Sequence, residues 1–383
     1  MNLKGQNNIR TKQTNRSQVL QALLRLGRTS RQNIAELTHL TSATITNLTA
    51  ELIREGLVRE TGNLEENRKR AGRKFIALSL HEDAYWVVGV HISFGQLEFG
   101  LVNLGGSVKK QRKLDLPAAL SEQQFADLLL TELQTFMDGI QEVDVQAIGI
   151  GCLGLINFEN GVVLDAKPMN WQNIRLAELV ASAFKLPVYV DNNVRCMALA
   201  EKMFGGSKLV GHFLCLFIGE GIGSGLVLND DVYRGGLTGA GEIGHVTYVH
   251  DGFDCWCGNR GCLEQYASNA AIVRQLKAPS LDAVIQDCLK GNAEAQKAIR
   301  QAGRAVGTVL ASYINLFHVD QIVIAGHLAD ENLPFMPAVR EEVARRSFLF
   351  NREKVEIAFA AIREQIGVIG AASLALHYEV FKK

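Results

Sequence analysis

The sequence of 383 residues predicts an α/β protein in two parts, a small helical amino-terminal module followed by a larger body of two lobes. Three observations carry this. Apolar residues recur at helical spacing through the first part, whereas from residue 85 strand-like runs alternate with helices in two similar halves. Charge divides the chain at the same place. The 40 basic and 40 acidic residues cancel overall, but residues 1–80 hold 14 basic and 6 acidic ones, a net of +8, leaving 26 against 34 for the rest. A basic module on an acidic body points to a polyanion as the partner of the first part. The length asks for two or three cores, and 47% hydrophobic with 21% charged residues describes a globular chain, not a disordered one. No apolar run approaches the roughly 18 residues that would span a bilayer. The polar amino terminus lacks a signal-peptide core, so a cytoplasmic protein without a membrane partner is expected.

In the module, Val19, Leu20, Leu23, Leu24 and Leu26 mark a helix ending at Gly27. Thr29 or Ser30 caps a second helix with Ile34, Ala35 and Leu37, and Ser42 caps a third with Ile45, Leu48, Leu52 and Ile53 on one face. Two short strands, 57–60 and 74–80, flank a polar hairpin. Three helices and a two-stranded wing make a winged helix-turn-helix. In that fold the third helix enters the major groove amino end first. Ser42, Thr44, Thr46 and Asn47 are then the candidate base and phosphate contacts. The wing supplies Arg68, Arg70, Arg73 and Lys74 beside one glycine, a loop suited to the narrow, negative minor groove of A/T-rich DNA. Double-stranded operator DNA is the expected partner.

In the body, strands are expected at 86–92 and 97–104, a helix at 121–140, a strand at 147–150, a polar loop over 161–173, a helix at 176–184 and a strand at 188–191. A helix at 194–204 follows, then strands 213–218 and 225–228 about the glycine-rich turn 219–225. Helices run to Leu316, and strands 321–324 and 355–359 lie among the last helices. Each half opens with a β-hairpin and then alternates strand and helix, a pattern similar to the actin-like (ribonuclease H-like) two-lobed fold, in which ligands lie in the cleft between lobes.

The most distinctive stretch is 239–264. Cys255, Cys257 and Cys262 read C-x-C-x4-C, and His245 lies upstream. Cys3His is a standard structural zinc set, and Gly258 and Gly261 let the backbone wrap an ion. Buried or oxidised cysteines are the other reading, disfavoured because cytosolic cysteine clusters more often hold metal. Cys152, Cys196, Cys215 and Cys288 stand scattered in apolar contexts as small core residues.

Taken together, G-x-x-G at 151–154, V-D-N-N at 190–193, G-x-G-I-G-x-G at 219–225, E-I-G-H at 242–245 and C-x-C-G-x-x-G-C-L-E at 255–264 resemble the ROK family of repressors and sugar kinases. With a winged helix in front, the chain resembles its xylose-, N-acetylglucosamine- and glucose-responsive repressor branch. The resemblance implies a DNA-binding domain over 1–80, an amino-terminal lobe over 81–194, and a carboxy-terminal lobe over 195–383 with the zinc loop and a dimerisation surface. A last helix at about 371–383 would pack back on the first lobe. It further implies that Asn192, Glu242, His245 and Glu264 hydrogen-bond a sugar, with Asn193 still able to do so as an amide. Asn170 and Trp171 would form a far wall.

The family's catalytic aspartate falls on Asn193, which cannot take up a proton. Its first phosphate turn falls on His91–Gly95, where Phe94 replaces a glycine. Glu220 stands where a threonine is usual in the second turn, and the adenosine turn reads Ala325–Gly326–His327. No catalysis is expected. The implied function is a sugar-responsive transcription repressor of carbohydrate-metabolism genes, not an enzyme. Its inducer, a sugar or sugar phosphate, would lie in the cleft beside a structural zinc, and the protein would be a homodimer or a dimer of dimers. The alternatives are a sugar kinase carrying a DNA-binding domain and a repressor controlled by a partner protein.

Overall fold

A computed structural model describes residues 8–63, 75–117, 120–236, 239–350 and 355–382. The module contains α1 (Asn8–Leu26), β1 (Thr29–Ser30), α2 (Arg31–Thr38), α3 (Ser42–Arg54), β2 (Val58–Asn63) and β3 (Ile76–Leu80). α1 begins at Asn8, about three turns before Val19, the first residue of the apolar stripe that announces it, and Gly27 ends it with φ 65°. Ser30 caps α2 through the backbone N–H of Asn33. α3 is capped by Thr41, whose hydroxyl accepts from the N–H of Thr44, and not by Ser42, the first residue of the helix. Val19, Leu20, Leu23, Ile34, Ile45 and Leu52 are fully buried and form the module's core. The sheet order is β1-β3-β2, so a short third strand joins the two expected ones.

The first lobe contains β4 (Trp86–Ser93), β5 (Gln96–Asn103), β6 (Val108–Asp115), α4 (Glu122–Asp138) and β7 (Val145–Cys152). β8 (Leu155–Asn157), β9 (Val162–Ala166), β10 (Trp171–Ile174), α5 (Leu176–Phe184) and β11 (Val188–Asn192) complete it. The expected polar loop over 161–173 is instead part of the small antiparallel sheet β10-β9-β8. α6 (Asn193–Met203) leads to the second lobe, with β12 (Phe213–Ile218), β13 (Ile222–Leu228), β14 (Asp231–Tyr233) and α7 (Glu264–Ala267). Then come α8 (Asn269–Leu276), α9 (Leu281–Leu289), α10 (Ala293–Phe317), β15 (Gln321–Gly326), α11 (Phe335–Arg346), β16 (Glu356–Phe359) and α12 (Ile366–Leu376).

The two large sheets share one topology. Their orders are β11-β7-β4-β5-β6 and β14-β13-β12-β15-β16. In each, an antiparallel three-strand meander continues into two parallel strands added beside the first. This repeated order is the actin-like arrangement. α12 comes last in sequence but lies on the first sheet, against β4, β7 and α6. Gly89 and Gly149 permit this: a Cβ on either would fall 2.2 Å from the Val368 carbonyl oxygen or 1.9 Å from that of Ala371. Alanine there would push helix and sheet apart.

α1 docks on the body. The hydroxyl of Ser17 donates to the Phe381 carbonyl, and Arg16 donates to the Val380 carbonyl at 3.3 Å. Both acceptors lie in a π-helical turn, His377–Phe381, that continues α12. Arg25 reaches Asp230 at 3.0 Å, and Lys202 of α6 pairs with the same carboxylate. The buried residues of the module and those around α6 form one continuous apolar cluster.

Candidate sugar cleft, metal cluster and nucleic-acid interface

After β14 the chain runs through an extended loop that two glycines shape. Gly258 has φ 94° and Gly261 φ 73°, and a Cβ on Gly261 would meet the Val249 carbonyl oxygen at 1.6 Å. The bridges Thr247 to Cys262 and Asp254 to Arg260 close the loop. It gathers His245, Cys255, Cys257 and Cys262, whose ligand atoms all lie within 4.8 Å of one another. Cys255 Sγ is 3.6 Å from His245 Nδ1, and Cys257 Sγ is 3.7 Å from Cys262 Sγ. A tetrahedral ion with sulfur ligands at about 2.3 Å has ligand–ligand edges of about 3.7 Å. Asn259 Nδ2 approaches Cys262 Sγ at 3.4 Å, and Gln265 Nε2 approaches Cys255 Sγ at 3.7 Å. Three thiols, one imidazole and N–H groups aimed at sulfur fit a divalent, thiophilic metal.

Beside this cluster lies Glu264, at the start of α7 and almost buried. One of its oxygens accepts from the backbone N–H of Ile222 at 3.0 Å and the other from the indole N–H of Trp256 at 2.7 Å. Glu242 precedes the short turn that carries His245. Burial pushes its carboxyl above the ordinary range, His245 and Arg195 pull it back, and Glu264 adds to the rise. These electrostatic neighbours bring the second-lobe loop to the amino end of α6. Gly223 of β13 packs there against Val194, where a Cβ would approach to 2.8 Å.

At that amino end Asn192 caps α6. Its Oδ1 accepts from the N–H groups of Val194 and Arg195, and its Nδ2 donates to the Gly154 carbonyl at 3.1 Å. Asn193 Oδ1 accepts from the Val194 N–H at 2.9 Å. Under them lies a cluster that reading the sequence missed: Asp191, 1% exposed, receives Arg195 Nε and Arg234 Nε, each at 2.8 Å. The aspartate stood in the V-D-N-N motif, but nothing in the spacing shows that a residue as distant as Arg234 would reach it. The Arg234 guanidinium also lies 4.1 Å from the centre of the Phe158 ring. Trp171 is no cleft wall. It is 1% exposed and packs 4.0 Å from Phe125 in the first lobe's core.

The positions of the family's phosphate turns hold different groups. His91 is buried, with Nδ1 3.7 Å from Glu98, and its ring lies against Gly367 at the start of α12. Phe94 is 58% exposed at the tip of the β4–β5 hairpin, and Glu220 is exposed. In the module, Ser42, Thr46 and Asn47 are exposed on the first turns of α3, and Thr44 is half-buried. The Thr44 hydroxyl pairs with that of Thr41 at 2.9 Å, and the Thr46 hydroxyl donates to the Ser42 carbonyl at 2.8 Å. Arg68, Arg70, Arg73 and Lys74 lie outside the described residues. Among the described residues no helix is long and apolar enough to cross a membrane.

The family model described as "ROK family" matches residues 87–378. A putative xylose repressor from Caldicellulosiruptor sp. (strain Rt8B.4) is 30% identical over 95% of this chain and 96% of its own length. The DNA-binding transcriptional dual regulator NagC of Escherichia coli (strain K12) is 28% identical over 95% of this chain and 92% of its own. Among solved structures, a ROK family transcriptional regulator described as a homolog of the E. coli MLC protein superposes with a TM-score of 0.82 at 29% identity, covering 97% of both chains. A ROK family glucokinase from Streptomyces griseus, solved with glucose and AMPPNP, superposes with a TM-score of 0.68 at 26% identity over 76% of this chain and 98% of its own. The likeness to the regulator runs through the amino-terminal module, whereas that to the kinase covers about the length of the body. This chain belongs to the ROK family.

Proposed function

We propose that this protein is a sugar-responsive DNA-binding repressor of carbohydrate-metabolism genes, working in the cytoplasm as a homodimer. One observation carries the reading: a helix-turn-helix with an exposed polar recognition face is docked on a kinase-like cleft whose base position holds Asn193. An amide cannot accept the proton of an attacking hydroxyl, whereas it can still bind that hydroxyl. Binding without turnover is what a sensor needs.

In this mechanism a sugar or sugar phosphate enters between the lobes and meets Asn192, Asn193, Glu242, His245 and Glu264. Glu264 is already fixed by two N–H donors, so its orientation costs little on binding. Arg195 and Arg234 neutralise Asp191 beneath the site. His245, Cys255, Cys257 and Cys262 would hold a structural zinc, which would rigidify the loop carrying His245 and Glu264. α6 spans from the cleft to Lys202, which shares Asp230 with Arg25 of the DNA-binding module. Lobe closure would therefore displace α1 and change the spacing of the two recognition helices, which must match half-sites about one 34 Å helical turn, or a multiple, apart. Base contacts fall to Ser42, Thr44, Thr46 and Asn47, and minor-groove contacts to Arg68, Arg70, Arg73 and Lys74.

The test is fluorescence anisotropy on DNA from the protein's own upstream region, with and without sugars and sugar phosphates. One ligand should release the DNA. No binding to DNA at low salt would overturn the reading, and ADP release on adding a hexose and ATP would favour a kinase. The Cys257→Ser protein should lose metal and sugar response together. Normal induction in a metal-free protein would remove the role given to zinc.

A further inference from the structure

Trp256 stands between two of the metal-cluster cysteines and belongs to neither the metal nor the sugar set. Its position is unusual for a tryptophan. Trp86 and Trp171 are buried, whereas Trp256 is 48% exposed. Its ring stands edge-on to His245, with centroids 4.7 Å apart and planes at 88°. Its Nε1–H donates to Glu264 Oε1 at 2.7 Å, while Glu264 Oε2 takes the Ile222 N–H.

A carboxylate offers about four acceptor sites. Two are filled here, one on each oxygen, which leaves each oxygen one acceptor site. Indole N–H donates and never accepts, so Trp256 holds the carboxylate without competing for the sugar's own donors. The ring beside it is apolar and half in solvent, a surface suited to the C–H face of a pyranose whose hydroxyls point toward Glu264 and His245.

We propose that Trp256 is the positioning residue for hydroxyl recognition in the cleft. It locks Glu264 in one rotamer through its N–H and walls the sugar with its ring. This rests on the sugar-sensing reading above. The ligand class it implies is an aldose presenting a free equatorial or axial hydroxyl, of one fixed hand, to Glu264. An epimer at that carbon would leave the prepared lone pair unfilled.

The experiment compares the wild-type protein with Trp256→Phe, which keeps a ring and loses the donor. Metal content is measured first to show that the loop is intact. Titration calorimetry then uses D-glucose, its epimers at carbons 2, 3 and 4, D-xylose, N-acetyl-D-glucosamine and the phosphorylated forms of these sugars, with red-edge tryptophan emission recorded in parallel. The expected result is that wild-type emission shifts on binding. In the variant, discrimination should fall roughly ten-fold or more at one carbon, the scale of one charge-assisted hydrogen bond, and persist at the others. A uniform loss across all sugars, or unchanged discrimination in the variant, overturns the role of Trp256 and leaves sugar sensing in place. If no sugar or sugar phosphate binds the wild-type protein, both fall together.

Discussion

The two ends of α6 carry ionic clusters of opposite character. At the amino end Asp191 and Arg195 are 1% and 2% exposed, and Arg234 closes over the same carboxylate. At the carboxy end Lys202 is buried, but the Asp230 side chain it shares with Arg25 is 46% exposed. A buried cluster is costly to break, while the more solvated Arg25–Asp230 pair contributes at most about 1 kcal/mol. A helix anchored firmly beside the cleft and lightly beside the DNA-binding module can pass on a displacement without unfolding. On the proposed mechanism the firm end would sense and the loose end would yield.

The comparison breaks if the ends prove equally strong. The largest effect is expected for Asp191→Asn, which removes the carboxylate charge shared by buried Arg195 and partly buried Arg234. Stability should fall by roughly 3–5 kcal/mol, read from urea unfolding, and a loss under 1 kcal/mol would refute the picture of a firm end. Next comes acid. His377 is buried beside α1, and burial holds it down to about 4, with Lys382 and Arg234 acting in the same direction against Asp231. It is neutral in the fold at pH 7. As pH falls from 6.5 toward 4 the unfolded chain takes the proton first, so stability falls with pH across that window. The loss should total about 3 kcal/mol. His377→Gln should flatten the curve there.

A smaller change is expected for Glu264→Gln, which keeps the shape and removes the charge. Sugar affinity should drop roughly ten- to a hundred-fold while DNA affinity without sugar stays the same. Calorimetry and anisotropy separate the two. The smallest effect is that of Arg25→Ala, at most about 1 kcal/mol in stability. Its more telling readout is the sugar concentration that releases DNA. A shift there, with unchanged sugar affinity, would place the yielding contact in the transmission path.

The sequence disclosed the fold where one period dominates. Val19, Leu20 and Leu23 mark α1 because a helix buries one stripe, and the run Phe213 to Ile218 reads as a buried strand. It failed where pattern is weak. β9 and β10 are only five and four residues long, and Lys167, Asn170, Gln172 and Asn173 with the positive φ of Asn170 and Asn173 make the stretch read as loop. Thr41 and Ser42 both carry a hydroxyl that can cap, and backbone geometry selects Thr41. The cluster of His245, Cys255, Cys257 and Cys262 was legible because its members lie close in sequence. The triad of Asp191, Arg195 and Arg234 was not, since its members meet through the packing of α6 against β13 and β14. Trp171 looked like a ligand wall and proved to be core, because an aromatic residue in a polar stretch can fill an apolar hole a sheet away.

The π-helical turn at 377–381 also bears on engineering. Arg16 and Ser17 are held by its carbonyl oxygens, so the DNA-reading module is fitted to residues more than 360 positions distant. Exchanging residues 1–80 for the module of another repressor would retarget the protein only if residues 377–382 travelled with it. A chimera lacking them would read the new operator through a loose joint, and its response to sugar would be the property lost first.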